Sequence, residues 1–165
     1  MISIQFAEAA PINPTVEIND LLQKAAVETL RQADAPAESG LGIVITDDSQ
    51  LQKLNREYLG IDAPTDVLSF PADETDPDTG ELYLGDILIS YPRALAQSES
   101  GGHSLQDELQ LLVVHGALHL LGYDHVEEPA SAKMWITQAE ILKTLGSPIR
   151  LPGQITDLAP DQVPD

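Results

Sequence analysis

Residues 115–125 read HGALHLLGYDH, and the spacing within this stretch decides how the centre of the chain is built. His115 and His119 are four residues apart, Gly122 follows three later and His125 three after that. At 3.6 residues per turn the first two histidines share one helix face, with Cβ atoms ~5–6 Å apart, close enough for both imidazoles to reach one zinc ion at ~2.0–2.1 Å. Gly122 lets the chain leave the helix through a left-handed or otherwise tight turn, a reversal able to bring His125 back over the same face as a third ligand. Three neutral imidazoles leave the fourth coordination position open, the arrangement of a catalytic rather than a structural zinc site. The spacing therefore predicts a metal centre at His115, His119 and His125, at the end of a long helix. Asp124 either orients one of these ligands from behind or only forms the turn. His103, outside the cluster, reads as a helix-start or surface histidine.

Working outward, ISIQF at 2–6, GLGIVIT at 40–46, DVLSF at 66–70 and YLGDILIS at 83–90 are short apolar runs rich in strand formers. Helical periodicity covers 18–34, 47–59, a short piece near 92–98, 105–121 and 130–145, the last closing at Gly146. Ser104 is positioned to cap the histidine helix, in a capping box with Asp107. The expectation is an α/β fold with four strands and about five helices. PADETDPDTGEL, 71–82, reads as a solvated loop between adjacent strands because its prolines and acids cannot build a core. Residues 1–147 are expected to form a single domain. The remaining stretch, 148–165, is rich in proline and aspartate and reads as an extended or disordered tail.

Eight basic side chains against 27 acidic ones leave a net charge of −19, so diffuse attraction to nucleic acid or anionic lipid cannot be the basis of binding. A phosphate-binding surface must be local, and DNA and membranes are not expected partners. With no cysteine, thiolate ligands are excluded, and histidine and carboxylate remain for zinc. No segment approaches the ~20 apolar residues of a membrane span, and the expected location is the cytoplasm.

The histidine and glycine spacing is also that of the metzincin zinc proteases, except that Gly116 stands where those enzymes carry the glutamate that acts as base. Peptide cleavage needs that base, and an acid for a poor leaving group. A phosphodiester can instead be cleaved with assistance drawn largely from metal electrostatics, and RNA carries its own 2′-hydroxyl nucleophile.

The whole motif HGALHLLGYDH resembles the signature of the YbeY family of zinc-dependent endoribonucleases. LNREYLGIDAPTDVLSFP, 54–71, and YLGDILIS, 83–90, are similar to two further segments of that family. The resemblance implies a small mixed sheet packed against helices and one zinc per chain at His115, His119 and His125, which act as the catalytic centre. It also implies single-strand-specific cleavage of ribosomal RNA in 3′-end maturation of the small subunit, a role in ribosome quality control, and the small ribosomal subunit and assembly factors as partners. One position departs from the family pattern: Leu59 stands where an arginine is usual, which removes a bidentate phosphate donor. Arg56, one turn earlier, and Lys53 are candidate replacements for RNA binding, and either is equally readable as part of a solvated helix face; Arg93 and Lys133 are next if that helix does not line the RNA groove. Asp86 is a candidate base only if its strand turns it towards the zinc; otherwise it is a structural aspartate. Two other functions fit the same residues, a metallopeptidase and a noncatalytic ribosome-assembly factor with a structural zinc.

Overall fold

The computed structural model describes residues 1–149 apart from Ala9, Pro11 and Val126. Among these residues the chain forms four strands, β1 (Ile2–Phe6), β2 (Ser39–Thr46), β3 (Val67–Thr75) and β4 (Leu82–Ser90). Five helices accompany them, α1 (Val16–Gln32), α2 (Asp48–Leu59), α3 (Tyr91–Gly101), α4 (Leu105–Leu120) and α5 (Ala130–Thr144). The strands make one mixed sheet in the order β1-β2-β4-β3, in which β1, β2 and β4 are parallel and β3 is antiparallel to β4. This is the expected α/β class, with the expected small mixed sheet. Past Ile149 the expected tail lies outside the described residues.

Local chemistry sets the helix ends. The Thr15 hydroxyl accepts from the Ile18 amide at 3.2 Å and so starts α1 at Val16, ahead of the expected Ile18. Asp47 and Ser104 cap α2 and α4 through the Gln50 and Asp107 amides, at 2.8 and 3.1 Å. Ser90 caps α3, and Gly102, in the left-handed region at φ 72°, ends it, so this helix is longer than the expected 92–98.

The reading of 71–82 as a loop is corrected by the sheet. β3 continues to Thr75, with Glu74 opposite Tyr83 and Thr75 opposite Leu82 after an irregularity beyond Pro71. The acids do not prevent this, because β3 is an edge strand whose later side chains face solvent, and backbone pairing there asks for no apolar surface. Only the tip turns back: the Asp76 carboxylate accepts from the Asp78 amide at 2.8 Å, and Gly80 adopts φ 76°.

Helix α4 is the centre of the molecule. Its residues from Glu108 to Leu118 are all buried, as is Leu120, and α1, α3, α5, β3 and β4 pack around it. Helices that are apolar all round belong in a core. Ile43, Ile45, Ile87 and Ile89, each 0% exposed, join α4 in the main apolar cluster and define one face of the sheet. Side chains alternate along a strand, so Val44, Asp86 and Leu88 point to the other face. There Val44 and Leu88 line a cavity of about 420 Å³ with residues of α2, including Lys53.

A polar group is hidden beside this core. Asp66, at the start of β3, is 2% exposed and Glu108 of α4 is 4% exposed. His103, directly before the Ser104 cap as a helix-start histidine, is bonded to Glu108 at 2.6 Å. Burial pushes the Asp66 carboxyl up to about 7; a hydrogen bond from Gln97 opposes this, and the Glu108 charge adds to it. A carboxyl with a raised folded-state value favours folding in its neutral form. That contribution is whole below the ordinary value of 3.8 and is lost as pH rises through about 7. We expect Asp66→Asn to gain stability on the wild type steadily across this window and to hold a constant advantage above it, read from denaturant melts at a series of pH values. Parallel curves would show that Asp66 is not protonated in the fold.

Candidate metal centre

The end of α4 is built as the glycine predicts. The Tyr123 amide bonds to the Leu118 carbonyl at 3.0 Å and the Gly122 amide to the His119 carbonyl at 3.0 Å, while Gly122 sits at φ 93°. This pair of reversed bonds is a Schellman closure, and it needs a residue that tolerates the left-handed region. Tyr123 then packs on the core cluster, which anchors the loop that carries His125.

The turn brings the three histidines together. The Nε2 atoms of His115 and His119 are 3.2 Å apart, and the ligand atoms of His115, His119 and His125 all lie within 4.8 Å of one another. Tetrahedral ligands on an ion at ~2.0–2.1 Å stand roughly 3.3–3.4 Å apart. His115 and His119 are therefore already at ligand separation, and the loop-borne His125 has room to close on them. Burial, aided by the neighbouring His125, lowers the His119 imidazole to about 4, so it is neutral near physiological pH with a lone pair to give. The exposed Asp124 pulls the other way on His119, so it lies within electrostatic reach of the histidine group. The donor set fits a divalent ion that accepts nitrogen ligands.

The missing glutamate has a structural explanation. A Cβ at Gly116 would stand 2.7 Å from Ile87 Cγ2 and 3.3 Å from Ser69 Oγ, so this position faces the sheet. Ser69 also donates to the Gly116 carbonyl at 3.0 Å. A side chain here would drive into β4, and close packing of α4 on the sheet requires its absence.

The other sequence candidates lie elsewhere. Asp86 is on the sheet face turned away from α4, over Gly42, where the Tyr83 hydroxyl donates to it; its strand does not turn it towards the histidines. Lys53 lines the cavity on that same far face. Arg56 is exposed and stands 3.7 Å from the Asp62 carboxylate, and Leu59 is 49% exposed at the end of α2. Arg93 is paired with Asp48 at 3.0 Å. Lys133 is held over the Tyr123 ring at 5.2 Å from its centroid, which ties it to the histidine loop.

Two residues of α5 that the sequence reading passed over complete the site. The Trp135 ring stacks on His115 and His125, with centroids at 5.7 and 5.5 Å and interplanar angles of 29° and 20°. The two histidine centroids are themselves 5.4 Å apart, so both lie on the same side of the indole. Gln138, 2% exposed, meets His115 Nδ1 at 2.7 Å. One signal was available: Gln138 interrupts an otherwise apolar stripe formed by Met134, Ile141 and Leu142.

Fold and site together define an α/β protein with a three-histidine group, able to hold a metal ion, at the end of a buried helix. Residues 4–146 match the family described as Endoribonuclease YbeY, and the chain belongs to that family. Proteins named Endoribonuclease YbeY from Roseiflexus sp. (strain RS-1) and Chloroflexus aurantiacus (strain ATCC 29366 / DSM 635 / J-10-fl) are each 48% identical to it. Those alignments cover 76% and 79% of this chain and 82% and 88% of the relatives. A relative of the same name from Desulfitobacterium hafniense (strain Y51) is 37% identical over 84% of this chain and 92% of its own. The solution structure of TM1509 from Thermotoga maritima superposes with a TM-score of 0.58, over 88% of this chain and 89% of that one, at 24% identity, a likeness of fold.

Two measurements check this geometry. Trp135 is the chain's one tryptophan, so zinc added to metal-free protein should change its emission saturably at about one equivalent per chain, and His119→Ala should abolish the response. An emission that ignores zinc while calorimetry records binding would place the ion elsewhere. Gly116→Ala should lower stability, because overpacking costs ~1–3 kcal/mol and the better helix propensity of alanine returns only ~1 kcal/mol. An unchanged or raised melting temperature would mean that Ile87 yields freely.

Proposed function

We propose that this chain is a zinc-dependent endoribonuclease that hydrolyses single-stranded RNA at His115, His119 and His125. One observation carries the reading: two imidazole nitrogens 3.2 Å apart, with a third histidine returned beside them, in a member of the YbeY family. The three histidines hold the ion, one per chain. When bound, it supplies positive charge to the phosphodiester oxygens and makes water more acidic. Trp135 supports the His115 and His125 imidazoles on one side of its ring and offers its remaining surface to a base, since stacking is indifferent to sequence. Lys133, beside the histidine loop, is the candidate phosphate contact, replacing the expected Arg56 and Lys53, whose surroundings are described above. A local contact of this kind suits a chain whose net charge of −19 repels nucleic acid at long range.

The biological substrate in this reading is small-subunit ribosomal RNA in the cytoplasm, where the enzyme acts in 3′-end maturation and ribosome quality control. Gly116 weighs against a metallopeptidase: the position faces Ile87, so a base could not be supported there. The noncatalytic alternative differs by outcome. Zinc-loaded wild type should cleave single-stranded ribosomal RNA and leave casein intact, while His119→Ala should lose cleavage by two or more orders of magnitude. Lys133→Ala should weaken RNA binding without loss of zinc and flatten its salt dependence by a log–log slope of roughly 0.7 per lost contact. Binding of small subunits by the zinc-loaded protein with no cleavage would identify an assembly factor instead.

A further inference from the structure

The geometry points to Gln138 as the positioning residue that decides which nitrogen of His115 faces the metal. The inference rests on the reading of the three histidines as a metal centre and adds a determinant on a separate helix. Gln138 lies on the buried stripe of α5 between Met134, 0% exposed, and Ile141, 0% exposed. A carboxamide in such a place costs free energy unless it is bonded. Its oxygen meets His115 Nδ1 at 2.7 Å, and His115 itself is 1% exposed. A carbonyl oxygen only accepts, so the hydrogen of this bond belongs to His115 Nδ1. A neutral imidazole carries one N–H, which leaves Nε2 with a lone pair. Nε2 is the atom that stands 3.2 Å from His119 Nε2, and Gln138 thus holds His115 in the one tautomer that aims a donor at the shared point.

The same helix restrains the ring in a second direction. Trp135, three residues before Gln138, stacks on His115 at 29°, so the amide sets the tautomer while the indole limits tilt. Because the partner is an amide, it orients the ligand without adding a negative charge to the centre. A carboxylate in this role makes a ligand histidine more basic as well as oriented. The reversed amide, donating from Nε2 of Gln138, would put the His115 hydrogen on Nε2, directed at His119 and incompatible with both acting as ligands through Nε2.

The tautomer can be read in metal-free, ¹⁵N-labelled wild type from long-range proton–nitrogen correlations of the imidazole. We expect an Nδ1–H signature for His115; an Nε2–H signature overturns the assignment. Zinc affinity by chelator competition supplies the second reading. Gln138→Leu, which keeps volume but accepts no hydrogen bond, should bind zinc 10–100-fold more weakly, whereas Gln138→Glu, which keeps the acceptor, should bind at least as tightly as wild type. Wild-type affinity in Gln138→Leu, or weakened affinity in Gln138→Glu, sinks the proposal. If Gln138→Leu does not fold, the wild-type tautomer and the Gln138→Glu affinity still decide. Failure of the wild type to bind zinc would refute the metal centre itself, while the metal-free spectrum would still test the Gln138 contact.

Discussion

His115 is an imidazole at 1% exposure in a helix buried on almost every side, and hiding it there makes a demand on each of its ring nitrogens. A polar atom removed from water costs free energy unless a partner replaces the solvent. Nδ1 is met by Gln138 across the α4–α5 interface, and Nε2 is directed at His119 one turn further along. α4 ends one residue past His119, and the chain must come back over the last turn of the helix to set a third histidine beside these two. The closure at Gly122 does this, and Tyr123 fixes the returning loop to the core. Packing of the core and assembly of the site are thus one problem solved by one helix.

The same close packing explains Gly116. A buried helix that lies tightly on a sheet needs a small residue where it meets a branched side chain, and Ile87 of β4 occupies that place. The spacing shared with the metzincin proteases therefore conceals what surrounds the residue after the first histidine in this chain. In those enzymes the position carries a base; in this chain it belongs to the interior. In the proposed reaction Gly116 therefore supplies no base.

Electrostatics divides the molecule in a similar way. The carboxylates of Glu74, Asp76 and Asp78 sit on an exposed hairpin, whereas the histidine group is lined by imidazole, indole and carboxamide, with Asp124 beside it and Lys133 nearby on the Tyr123 ring. A chain this acidic can approach a polyanion only over a short range, where a few contacts outweigh a screened long-range repulsion. Asp86, a candidate base only if its strand turned it towards the centre, lies on the other face of the sheet.

The α/β alternation, the helix starts at Asp47 and Ser104, the paired faces of His115 and His119 and the reversal at Gly122 were all legible in the sequence. Each depends on periodicity, capping or backbone freedom within a few residues, and those are properties of local chain chemistry. The continuation of β3 to Thr75 was not legible, because backbone pairing on an exposed edge leaves no apolar pattern. Nor were the roles of Gln138 and Trp135, which lie 23 and 20 residues from His115 and meet it only through the packing of α5 on α4. The surroundings of Arg56 and Lys53 were not legible either, because helical spacing shows which residues share a face but not which side of the sheet that helix will cover. The chain by itself determined the three histidines and the turn that gathers them. Only the tertiary structure decided which groups surround them, because contacts between distant segments are set by how buried faces fit and not by spacing along the chain.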